Sequence, residues 1–406
     1  MKIALSILSF LLVVSGIIVA SIFFLHLSHE YTYGGGGKIL VDKTGEVGDF
    51  IGGVVGTIFS LAGFIILIVT LSEQTKASYI EQFESKFFEL LKIHRENVAE
   101  IEVKRSAEDE EKHLNEFHFK GRQAFKIILD DFITCRNELK QYFMKFETVE
   151  IYEPAYLKEL SGQLDVPATH IRLRSIAKVN ISYCIIFYGV SQIGFEILEK
   201  LFKNKYRESF YLNLLRYASM KPILNSKYWA DWKRFRQIDK VVDRITTMNE
   251  IFHLRKKHSI HHRLKNQFYY DNRYIKFYGG HQHRLGHYYR HLFQTFKFIN
   301  DQKQLTPGKK YFYAKTLRAQ LSTYEQALLF VNSLSILGMP WELGAKYQKS
   351  DFDFINKKRQ ADNRLITKYN LIKNLPGEHI LGINYAHYYP KVDYEIPISQ
   401  IENESE

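Results

Sequence analysis

Four histidines, His281, His283, His287 and His291, stand in one short stretch, HQHRLGHYYRH. His287 and His291 are one helical turn apart, a spacing that can present two imidazoles to a metal ion. No cysteine or carboxylate in the stretch completes a ligand set, so surface or interhelical hydrogen bonding is the favoured role and no metal is expected. Arg284 and His291 carry a second chemistry. An arginine and a histidine on one helix can cut RNA without metal, the guanidinium stabilising phosphorane charge and the imidazole serving as acid or base toward the 2′-hydroxyl. The competing structural role has Arg290 and His287 tying this helix to Glu325 or another acid on the next one.

Other chemistries lack their signatures. GGGGKI at Gly34 misses the leading glycine of a phosphate-binding loop and the Ser or Thr after Lys38. There is no nucleophile elbow, no HExxH helix and no paired CxxC. Cys135 and Cys184 are far apart in sequence and read as buried thiols of a reducing compartment. No cofactor is expected, and an enzyme is the less favoured class. A formal charge of +12 and a pI of about 9.3 point to anionic lipid, nucleic acid or an acidic protein as a neighbour.

These residues must be held by elements legible in the hydrophobic pattern. Residues of about 3–27 carry no formal charge, and about 20 apolar residues cross a hydrocarbon core roughly 30 Å thick. A cleaved signal peptide is the rival, but its apolar run is usually only ~7 to 15 residues. A second uncharged run covers about 50–71, beyond a short loop with glycines at Gly34–Gly37. Residues 1–75 are therefore expected to form a two-helix transmembrane hairpin. Gly48, Gly52, Gly56 and Ser60 recur at every fourth position, a stripe that permits close helix contact within the hairpin or with another copy. The lysines near the spans do not fix orientation; the basic bulk and the absence of a disulfide framework favour both termini in the cytosol of a bacterial inner membrane.

Residues 76–345 read as one large, mainly α domain. Phe83, Phe87, Leu90, Leu91, His94, Val98 and Ile101 fall on one side of a helix that continues the second span. A charged connection at 106–112 leads to a helix over about 113–146, and a further buried helix spans RSIAKVNISYCIIFYGVSQIGFEILEKLF. The stretch 221–273 is a basic insertion. Leu285, Tyr288, Tyr289, Leu292, Phe296 and Ile299 mark another helix, and Thr306 caps one that starts at Pro307 and runs to Gly338. Residues 346–406 form an extension ending in the acidic tail IENESE.

Five blocks in order, GEVGDFIGG, QFESKFFELLKIHRENV, KGRQAFKIILDDF, GHYYRHLFQTFKFINDQ and YAKTLRAQLSTYEQALLFVNSLSILG, carry a resemblance. With them the chain resembles the phage abortive infection proteins, an AbiC-like family of bacterial membrane-anchored proteins. The resemblance implies antiviral defence and supplies no catalytic mechanism. Its motif positions are Gly48 and Asp49; Phe83, Glu84 and Phe87; Gly121, Arg122 and Phe125; Gly286, His287, Tyr288 and Arg290; and Arg318, Gln320, Leu321, Ser322 and Glu325. The expected protein is a membrane effector that self-associates, perturbs the bilayer and answers a phage protein or nucleic-acid trigger. The alternatives are a membrane-tethered ribonuclease of the helical HEPN type, cutting with Arg284 and His291, and a non-toxic membrane scaffold.

Overall fold

The computed structural model describes residues 2–30, 41–108, 114–164, 166–223, 229–230, 232, 276–343, 364–375, 379–380 and 383–395. The Gly34–Gly37 loop, the basic insertion beyond Ile223 except 229–230 and 232, and residues 346–363 and 396–406 lie outside them. The fold is mainly α, in two compact units, Met1–Glu89 and Leu90–Glu406.

The first unit begins with α1 (Lys2–Glu30), followed by α2 (Val41–Phe50), a π-turn (Ile51–Val55) and the long α3 (Gly56–Glu100). Ser9 Oγ donates to the Ala62 carbonyl at 3.0 Å, Gly16 lies against Phe59 and Ile58, and Phe23 stacks on Phe50 with centroids 4.0 Å apart. Residue numbers rise on one side as they fall on the other, so the helices are antiparallel. Hydroxyls in these apolar stretches return to carbonyls of their own helix: Ser21 donates to Ile17 and Thr57 to Gly53. That satisfies them where water is absent. Ile3–Leu27 and Thr44–Glu100 are each long and apolar enough to cross a membrane.

Large side chains such as Phe10, Leu11, Leu25, Phe64, Leu67 and Leu71 are exposed on these helices. The predicted continuation of the second span is present: α3 has 45 residues, about 68 Å at 1.5 Å each. The π-turn falls on IGGVV, and the Gly56 N–H reaches the Ile51 carbonyl. It inserts an extra residue into the turn, so the small-residue row is offset between Gly48 and Gly56.

The second unit takes in the end of α3 from Leu90 and then a hairpin, β1 (Glu102–Glu108) antiparallel to β2 (Leu114–Lys120), where the sequence pattern had suggested a connection and the start of a helix. Residues 114–120 are extended and α4 (Arg122–Met144) begins only after Gly121, whose φ of +56° ends the strand. Next come α5 (Thr148–Ile151), α6 (Pro154–Gln163), α7 (His170–Tyr188), α8 (Gln192–Phe202) and α9 (Glu208–Ser219). The single helix expected over α7 and α8 is broken at Gly189, φ +74°, with Ser191 capping α8. Beyond the insertion lie α10 (Gln282–Asn300), α11 (Pro307–Arg318), α12 (Thr323–Leu334) and α13 (Leu365–Tyr369), with a short β3 (His379–Ile380) and β4 (Ile383–Asn384).

The helix predicted from Pro307 to Gly338 is also two. Ser322 and Glu325 form a reciprocal capping box that starts α12. An S-x-x-E signature, STYE, marks this boundary in the sequence. The core is built where α4, α7 and α12 meet, with α10 laid on α7. Cys135 on α4 and Cys184 on α7 are buried there as free thiols.

Candidate functional site

Residues of three distant motif blocks converge in the second unit. Phe125 of α4 meets Tyr288 of α10 edge-on, with centroids 4.8 Å apart. The Tyr288 hydroxyl donates to Glu325 Oε1 at 2.9 Å, and burial followed by the Glu325 charge pushes its phenol well above the ordinary range. Glu325 is fully buried, and its Oε2 accepts from the Ser322 N–H at 2.8 Å and the Ser322 hydroxyl at 2.6 Å. Arg122 Nη2 donates to the Gln320 carbonyl at 3.1 Å, and Arg95 Nε reaches Gln320 Oε1 at 3.2 Å. Arg318 extends the lattice toward the C-terminal segment, donating to the Tyr369 and Asn370 carbonyls at 2.9 and 3.1 Å. These motif residues form a polar framework around the α11–α12 corner. In the first unit, Phe83 and Phe87 are buried and stacked, whereas Asp49 is exposed.

The two proposed catalytic side chains are each engaged with backbone. Arg284 Nε donates to the Glu102 carbonyl at 2.5 Å, and His291 Nε2 lies 2.9 Å from the Leu90 carbonyl. Beside Arg284, His281 Nε2 is 3.1 Å from Asp131 Oδ2, its Nδ1 is 3.4 Å from Arg284 Nη1, and Arg105 pairs with the same carboxylate. Both ring nitrogens of His281 are thus occupied, and burial lowers its pKa. Among the described residues no group of His, Cys, Asp and Glu could hold a metal ion.

His94 sits behind Tyr288, their ring centroids 5.6 Å apart, and stacks against His291 at 6.4 Å. It is buried and neither ring nitrogen has a hydrogen-bond partner among the described residues. Burial, helped by the neighbouring His291, Arg122 and Arg95, lowers its pKa from 6.5 to about 4. The unfolded chain therefore takes up this proton first. Stability should be fully present above pH 6.5 and fall as the pH drops toward about 4. Denaturant unfolding at pH 7 and pH 5 checks this: His94→Phe should flatten the dependence, and an unchanged slope would show that another group sets it.

On the other side of α10, His283, Gly286, His287, Arg290 and Phe293 line an open cleft of about 470 Å³, faced by Tyr188, Asn332 and Trp341. Its shape depends on a crossing of two chains. Gly189 ends α7 and Gly280 precedes α10, with φ of +74° and +91°. A Cβ on either would lie 2.7 Å from the other strand's backbone, so only glycines let the chains touch. His281 N–H then reaches the Ile186 and Phe187 carbonyls and sets the start of α10 beside Tyr188. The sequence reading singled out His287 and Arg290 but not the opposite wall. The paired glycines Gly279 and Gly280 and the break after Tyr188 were its available signal.

This arrangement defines a helical protein with an apolar two-helix N-terminal unit and a basic, aromatic cleft in its second unit. Residues 280–348, which include α10 to α12 and the α10 wall of the cleft, match the family model described as putative phage abortive infection protein. No curated protein and no solved structure matches the chain.

Proposed function

We propose that this protein is a membrane-anchored abortive-infection effector: its helical unit, on the cytosolic side of the bacterial inner membrane, senses a phage-derived signal, and its apolar helices respond by self-association and membrane perturbation. The family match over 280–348 carries the defence reading. The exposed apolar faces of α1 and α3 support the anchor, because contiguous surfaces of Phe, Leu and Ile on this scale are costly in water and favourable in hydrocarbon. Added Cβ atoms at Gly48 or Gly52 would meet nothing within 4 Å, and one at Gly56 would meet only the Ile51 carbonyl. That face is open within the hairpin, which supports contact with a second copy. A ribonuclease using Arg284 and His291 is the second reading, and it requires both side chains to leave their carbonyl partners.

Phage infection of cells expressing the full chain should depolarise the membrane and reduce plating efficiency. Gly52→Leu should abolish depolarisation and lower protection by about tenfold or more, because the bulky side chain blocks close helix approach. Protection with an intact membrane potential would remove the membrane mechanism. Full protection by His291→Ala would leave the ribonuclease reading without its base.

A further inference from the structure

We infer that the cleft on α10 binds a nucleotide unit, its phosphate held by His287 and Arg290 and its base held between aromatic side chains. Arg290 and His287 are exposed on the cleft wall, and Arg290 has no carboxylate partner among the described residues. A guanidinium presents forked donors that match phosphate oxygens, and an adjacent imidazole adds a further donor. Beside them stand partly exposed aromatic rings. Phe293, on the same helix, meets the buried Trp341 edge-on, with centroids 5.0 Å apart, and half-buried Tyr188 closes the near side. Aromatic faces accept any nucleobase by stacking.

Asn332 lines the cleft at 3% exposure. Its Nδ2 donates to the Tyr183 hydroxyl at 3.1 Å, which leaves Oδ1 without a partner among the described residues. That oxygen is itself buried and lies against Gly338, so Asn332 shapes the wall and offers the ligand no acceptor. Cation and stacking surface thus occur together in about 470 Å³, within the range of small-molecule sites, about 300 to 1,000 Å³. A plain inorganic anion would leave the rings unused, and an apolar ligand would leave Arg290 unused. A free nucleotide and the terminal nucleotide of an RNA strand share this chemistry. The inference names the signal class for the sensing step proposed above and rests on that reading for its role in the cell.

The test uses the full chain in detergent micelles, with binding of AMP, GMP, CMP and UMP measured by calorimetry. Adenosine, ribose 5-phosphate, inorganic phosphate and a short 5′-phosphorylated oligoribonucleotide serve as part-ligands and as the strand arm. At least one mononucleotide or the oligonucleotide should bind about tenfold more tightly than adenosine, ribose 5-phosphate or phosphate. Whichever of the two binds better identifies the source. Arg290→Ala, an exposed change, should weaken that binding about tenfold with an unaltered melting temperature. No binding by any nucleotide, equal binding by ribose 5-phosphate, or an affinity indifferent to Arg290→Ala overturns the inference. Its failure is separable from that of the proposed function. A chain that protects against phage and binds no nucleotide removes only the inference, and one that binds nucleotide without protecting cells removes only the function.

Discussion

Replacing Lys221 by Met should lower the stability of the second unit by about 3 to 5 kcal/mol, the usual cost of stranding one member of a buried ion pair. Lys221 Nζ lies 2.9 Å from Glu138 Oε2, with both side chains almost fully buried. The Tyr278 hydroxyl donates to the same oxygen at 2.8 Å, and the Lys221 ammonium lies 3.9 Å over the Phe277 ring. Lys221 is the first residue of the basic insertion, and Phe277 and Tyr278 stand just after its end. Phe277 N–H to the Lys221 carbonyl at 2.8 Å and the Pro222–Lys276 bridge join the same two strands. The pair therefore anchors the base of the insertion to α4. Chemical denaturation of Lys221→Met, Glu138→Leu and the double variant gives the coupling directly. The double variant should lose less than either single one, because no uncompensated charge remains. Additive losses would show that the two side chains act independently.

Glu325→Ala should cost a comparable amount, about 3 to 5 kcal/mol. It removes the acceptor of three hydrogen bonds and leaves a buried donor on Tyr288 and half-buried donors on Ser322, a buried one costing about 1 to 3 kcal/mol when unsatisfied. The start of α12 also loses its capping box. Tyr288→Phe removes only one of those donors together with its hydroxyl and should cost about 1 kcal/mol. Thermal unfolding of the two variants checks the ranking, and equal losses would contradict the assignment of most of the energy to the cap.

Much of the architecture was legible because it depends on local pattern. Two uncharged apolar runs gave α1 and α3, and the stripe Leu285, Tyr288, Leu292, Phe296 and Ile299 gave α10 with its buried face. The misses lie where one residue overrides a longer periodicity. Gly121 and Gly189 stop extended or helical runs through positive φ, and Ser322 with Glu325 starts a new helix inside an apolar stretch. The β1–β2 hairpin was missed because its antiparallel pairing joins residues such as Glu102 and Lys120 that no helical spacing links.

The candidate site was legible only in part. His287 and Arg290 could be singled out on α10, but their partners could not: Tyr188, Asn332 and Trp341 arrive from three other segments through tertiary packing. Likewise the acid facing α10 was anticipated at Glu325, yet the donor that meets it is Tyr288, since His287 and Arg290 turn toward the cleft.

The central claim is that the two apolar helices lie in the bilayer and carry the basic helical unit on the cytosolic side. Alkaline extraction of membranes from cells expressing the full chain with a C-terminal tag, followed by protease treatment of intact spheroplasts, tests it most directly. The tag should stay with the membrane pellet and be digested only after the spheroplasts are lysed. Recovery of intact chain in the detergent-free soluble fraction, or digestion of the tag from outside, would contradict the account.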